Sequence, residues 1–85
     1  MTDKEKFKTL LDESYTWPSI YPFKFIIKPT QKIEIETLFP DFGLSFKESK
    51  TGKYISVSFD ITATSSQDII DIYEKVTVIE NIIRL

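Results

Sequence analysis

The spacing of hydrophobic residues changes along the chain, and each change predicts an element boundary. Phe7, Leu10 and Leu11 fall at i, i+3, i+4 with Lys4, Lys6, Lys8 and Asp12 on the other side, which predicts a short amphipathic helix capped by Thr2 or Asp3. Trp17-Pro18 and Tyr21-Pro22 follow. Each proline biases the residue before it toward an extended conformation, so the helix gives way to an arm over 14–22. Phe23 to Lys28 is aromatic and β-branched and is closed by Pro29-Thr30, the pattern of a first strand.

Residues 31–39 are ambiguous. Ile33-Glu34-Ile35-Glu36 alternates like a strand, whereas Ile35, Leu38 and Phe39 fit a helix opened by Pro29 and Thr30. A strand here would have to leave and re-enter a sheet within a few residues of a proline, which favours the helix. Beyond Pro40, Phe42, Leu44 and Phe46 alternate with polar or small residues. After Ser49-Lys50-Thr51-Gly52 the alternation resumes with Ile55, Val57, Phe59, Ile61 and Ala63 on one face and Tyr54, Ser56, Ser58, Asp60 and Thr62 on the other. This is a β-hairpin with a clearly two-faced second strand. Ser65 and Asp68 resemble a capping box ahead of Ile69, Ile72, Tyr73 and Val76, predicting a helix from about Ser66 to Val76. Asn81 to Leu85 reads as a last strand.

With residues 31–39 helical, the order behind the N-terminal helix is β-α-β-β-α-β. That is the α+β ferredoxin-like two-layer sandwich, a four-stranded antiparallel sheet with two helices on one face and the other face open. Eighty-five residues fit one domain, 1–16 forming the helix and arm and 17–85 the core. Hydrophobic residues make up 41% of the chain against 28% charged, too apolar for a disordered segment.

The chain has no Cys and no His, so it lacks disulfides, thiolate chemistry, imidazole ligands and the commonest general base. The remaining carboxylates fall in solvated or capping positions, and Gly43 and Gly52 are isolated from any phosphate loop. No enzymatic activity, metal or cofactor is expected. Thirteen carboxylates against eleven bases give a net charge of −2 without charged blocks, which argues against polyanion partners. No apolar run is long enough for a membrane span and the first residues are charged, so the expected location is cytoplasmic.

Two motifs resemble a known family of small bacterial proteins, domain of unknown function 493 (YbeD-like). Trp17-Pro18-Ser19-Ile20-Tyr21-Pro22-Phe23-Lys24 is similar to that family's aromatic-Pro approach to its first strand. Ser49-Lys50-Thr51-Gly52-Lys53-Tyr54-Ile55-Ser56-Val57-Ser58 is similar to its Ser-x-x-Gly-x-Tyr-x-Ser-Val hairpin, and Ile72-Tyr73-Glu74 follows at a family-like distance. The resemblance implies a ferredoxin-like fold akin to amino-acid-binding ACT domains, which agrees with a helix over residues 31–39. It implies no established activity. Ile27 stands where the family carries glycine.

An open sheet face raises the question of RNA. Aligned to an RNA-recognition strand, Tyr54 takes the first stacking position but Ser56 the second, and one stacked base contributes only about 1 to 3 kcal/mol. Nucleic acid is therefore not an expected partner. With Phe23, Phe25 and Ile27 facing the core, Lys24 and Lys28 face outward, joined by Lys47, Arg84, Tyr54, Ser56 and Ser58, with Asp60 the main acid. Such a strip either guards the sheet against stray pairing or docks an acidic protein or small anion. The expected function is a non-catalytic regulatory or adaptor module that contacts a protein partner through this face or a sheet edge. The alternative is an ACT-like sensor of an amino acid or other small metabolite; its loop would be Lys28-Pro29-Thr30, which lacks the glycine that lets backbone approach a ligand. Ile82, Ile83 and Leu85 on an edge strand predict a monomer or weak homodimer. Trp17 and Tyr21 are expected to anchor the arm.

Overall fold

The predicted N-terminal helix is α1 (Asp3–Ser14), which buries Leu11 and half-buries Phe7. The computed structural model describes residues 3–85; the expected cap at Thr2 lies outside them, and Asp3 is the first residue of the helix. Leu10 remains 59% exposed, because one residue of helix rotation carries it off the stripe that Leu11 occupies. Behind α1 run β1 (Ser19–Ile27), a 3-10 turn (Pro29–Gln31), α2 (Lys32–Leu38), β2 (Ser45–Glu48), β3 (Ile55–Ala63), α3 (Ser66–Lys75), a second 3-10 turn (Val76–Val78) and β4 (Ile83–Arg84). The ambiguous segment is thus a helix. Its Ile35 is buried under the sheet while Ile33 and the two glutamates face solvent.

The sheet is antiparallel in the order β2-β3-β1-β4, which is the ferredoxin-like arrangement. β1 and β3 pair over nine residues, Ser19 opposite Ala63 through Ile27 opposite Ile55. Alternation then directs Phe23, Phe25, Ile27, Ile55, Val57, Phe59 and Ala63 to one face, where Ile35, Phe39, Ile69, Ile70, Ile72, Val76 and Ile79 close over them in one core. Phe59 lies at its middle, with ring centroids of Phe23 and Phe39 each 5.2 Å away.

β1 begins at Ser19 rather than at Phe23, so Pro22 lies inside a central strand. The register explains why this is tolerated. The Leu85 N–H donates to the Lys24 carbonyl at 3.0 Å, so Lys24 directs its backbone groups toward β4 and, two residues earlier, Pro22 does the same. β4 pairs only with Phe25 and Ile26 and does not reach Pro22. The missing N–H therefore costs no β1–β3 bond.

The arm is anchored as expected. Trp17 stacks on Tyr15 and donates its indole N–H to Asp12 at 3.1 Å, and the Tyr21 hydroxyl meets that of Tyr73 at 3.3 Å. The start of α3 differs from the capping-box expectation. Ser65 is extended and its side chain caps nothing; instead the Asp68 carboxylate reaches back and accepts the Thr64 N–H and hydroxyl, each at 2.8 Å. These donors, the backbone N–H foremost, hold the Asp68 carboxyl below its ordinary range. Asp68→Ala should destabilise the protein by about 0.5 to 1 kcal/mol, at the low end for helix-start substitutions because the group is open to solvent. The contribution is present above the ordinary carboxylate range and is lost as pH falls through the lowered folded-state value. The gap between wild-type and variant urea midpoints should therefore close on acidification.

Candidate functional site

Helices cover one face of the sheet, and the uncovered face carries most of the residues expected from the sequence. Its geometry follows from register. Lys24 stands opposite Ser58, which on its other side faces Ser45; Ile26 stands opposite Ser56, which faces Lys47. Because outward residues of neighbouring strands lie side by side, Lys24, Lys47, Ser56 and Ser58 form one cluster. The Ser56 hydroxyl donates to the Lys47 carbonyl at 3.4 Å, which ties the short β2 edge to β3. Asp60, opposite Pro22, lies one row further along the same face.

Lys28 and Tyr54 come together at the end of this face. With Ile26, Asn81 and Ile83 they line a shallow concavity of about 290 Å³. Tyr54 precedes β3 and is held by hydrogen bonds between its backbone and Ser49 across the hairpin. The turn itself uses Gly52 at φ +71°, a conformation that favours glycine. Apolar groups are interleaved with the lysines: Ile20 is 67% exposed, Ile83 49% and Tyr54 47%.

Arg84 does not belong to this face. It pairs with Phe25, and cross-strand partners share a side, so its guanidinium lies on the helix-covered side above the Tyr73 ring, 5.9 Å from the centroid. Ile83 takes the open-face position beside Ile26. The sequence could not decide between them, because apolar residues occupy both faces of the last strand. Arg84 instead borders a cleft of about 460 Å³ between α1, α3 and the β4 edge, floored by Phe7, Ile70 and Tyr73. Lys4 and Glu74 form an ion pair across it. Nothing in the sequence signals this cleft, since Phe7 and Tyr73 each read as ordinary core-facing helix positions.

The loop at Lys28 is engaged in its own structure. The Gln31 side chain accepts the Lys28 N–H at 2.9 Å and donates to the Glu80 carbonyl at 2.6 Å, fastening the β1–α2 turn to the segment before β4. Among the described residues no helix is long and apolar enough to cross a membrane, and no group of three or more acidic side chains could hold a metal ion.

A two-layer sandwich with ferredoxin-like connectivity and one bare, lysine-bearing sheet face defines the class of this protein. The chain belongs to the DUF493 family, described as proteins of unknown function, whose model matches residues 12–85. It is 29% identical over 84 residues to a UPF0250 protein of Shewanella piezotolerans, a match covering 91% of this chain and 96% of that protein. No solved structure shows a significant match.

Proposed function

We propose that this chain is a non-catalytic regulatory or adaptor module that binds an acidic protein partner through the open sheet face. The observation that carries the reading is the clustering of Lys24, Lys47, Ser56 and Ser58 on an uncovered sheet, next to the half-buried side chain of Ile26 and the exposed one of Ile83. Lysines that only guarded an edge would not need apolar neighbours on the flat of the sheet. A patch that mixes apolar and basic groups offers an acidic partner both surface to bury and charge complementarity. The absence of His and Cys from the sequence supports a role without chemistry at a side chain.

Capture from lysate of the native host tests it, comparing wild type with a Lys24→Glu plus Ser58→Glu variant. Both positions are exposed but stand opposite each other, so the paired glutamates should cost about 1 kcal/mol and leave the variant folded, which denaturant unfolding checks. Partners captured by wild type should be lost from the variant, and identical partner sets would reject docking at this face. The metabolite-sensor reading ranks second because the Lys28 N–H that could meet a ligand is already taken by Gln31.

A further inference from the structure

The cleft beside β4 and the backbone of β4 itself form a second recognition element. Leu85 and, by alternation, Ile83 direct their backbone groups at β1, so the N–H and C=O of Arg84 point away from the sheet at its free edge. The Arg84 side chain stands on the helix side at the mouth of the cleft, whose floor is the apolar surface of Phe7, Ile70 and Tyr73. Lys4 in the same cleft is neutralised by Glu74, whereas no carboxylate among the described residues pairs with Arg84. A donor and acceptor at a strand edge, an apolar recess on one side of that edge and an unpaired cation between them match a single kind of occupant.

We propose that β4 accepts an extended peptide segment as a fifth strand. The segment would place a carboxylate side chain opposite Arg84 and an apolar side chain two residues away in the cleft. Two hydrogen bonds to the Arg84 backbone fix the register, alternate side chains of the added strand fall on the cleft side, and the carboxylate supplies the missing partner of the guanidinium. A second copy of this chain fits less well through the same strand. β4 against β4 would set Arg84 opposite Arg84 or Ile82, neither of which carries an acidic side chain. The proposal rests on the reading of the chain as a protein-binding module but places a distinct surface, on the opposite side of the sheet from Lys24 and Ser58.

The test uses the full chain and a fluorescein-labelled, end-capped peptide, Thr-Glu-Thr-Phe-Thr-Glu-Thr. Its Glu and Phe side chains lie on one face in either strand direction. Fluorescence anisotropy should report saturable binding, and a control peptide with Lys in place of Glu should bind more weakly. Arg84→Glu should weaken the acidic peptide about tenfold and favour the lysine peptide, the effect of reversing one cross-strand charge pair. In antiparallel pairing the Glu and Phe N–H groups face β4 and in parallel pairing those of the Thr residues do, so N-methylation of one set should abolish binding and N-methylation of the other should not. Equal binding of acidic and basic peptides, indifference to Arg84→Glu or indifference to N-methylation would each overturn the proposal. So would absence of binding by a protein whose circular dichroism shows it folded. The Lys24→Glu plus Ser58→Glu variant should bind the peptide normally. A protein that loses lysate partners in that variant yet ignores the peptide would retain the sheet-face function and refute the edge site.

Discussion

Phe59→Ala should remove a large share of the stability of the fold and move its urea midpoint far below that of wild type. Phe59 sits on a strand paired on both sides, is 4% exposed, and meets the rings of Phe23, Phe25, Phe39 and Phe42. Those rings come from β1 and from the end of α2 with the loop behind it, so one side chain joins the sheet to the helical layer. Emptying such a site costs about 3 to 5 kcal/mol, from lost transfer energy and from the cavity that the remaining rings cannot fill. A domain of this size holds only roughly 4 to 13 kcal/mol of stability in total. Phe59→Leu, which keeps much of the volume, should cost about half as much as the alanine variant. Urea unfolding followed by circular dichroism checks both. A Phe59→Ala midpoint close to wild type would mean that the aromatic cluster does not organise the core.

Tyr73→Ala should have the next largest effect and should act on a different part of the molecule. The Tyr73 ring lies 5.6 Å from Phe7 and 5.1 Å from Phe23, and it carries Arg84 on its exposed side, so it is the surface on which α1 docks. Because it is only half-buried, its removal should cost about 2 to 3 kcal/mol, less than a fully buried aromatic. Tyr73→Phe keeps the ring and removes only the hydroxyl contact with Tyr21, a loss of about 1 kcal/mol. Burial, and then the Tyr21 hydroxyl, raise the Tyr73 pKa well above the ordinary tyrosine value. The unfolded chain ionises first, so the stabilisation is full below the ordinary tyrosine range and is lost as pH rises beyond it. In an alkaline titration the latest-rising part of the phenolate absorbance should be missing from Tyr73→Phe. Proteolysis should cut α1 from Tyr73→Ala while sparing it in Tyr73→Phe, and equal sensitivity of the two would separate α1 docking from the ring.

Much of the fold was legible because one-dimensional spacing carries it. The strict alternation from Tyr54 to Ala63 specified both faces of β3 before any partner strand was known, and a slip of one residue would have exposed Phe59 and Val57. The helical reading of residues 31–39 relied on flanking prolines and on the resemblance to a family; the chain's own alternation pointed equally to a strand. The basic cluster was legible for the same reason as β3. Lys24, Ser56 and Ser58 occupy the outward positions of strands whose inward positions are unmistakably apolar.

By itself, then, the sequence determined the elements outside residues 31–39, the two faces of β1 and β3 and a chemistry without imidazole or thiol, since each depends only on residue type and near-neighbour period. Tertiary structure alone decided what depends on contacts between distant segments. Pro22 fits inside a strand because β4 stops before reaching it, a fact of pairing across some sixty residues. Arg84 lies on the helix side because its register with Phe25 puts it there, while Ile82, Ile83 and Leu85 would satisfy either face equally. The cleft of Phe7, Tyr73 and Arg84 joins both ends of the chain, and no local pattern encodes a surface whose parts meet only after the sheet has formed.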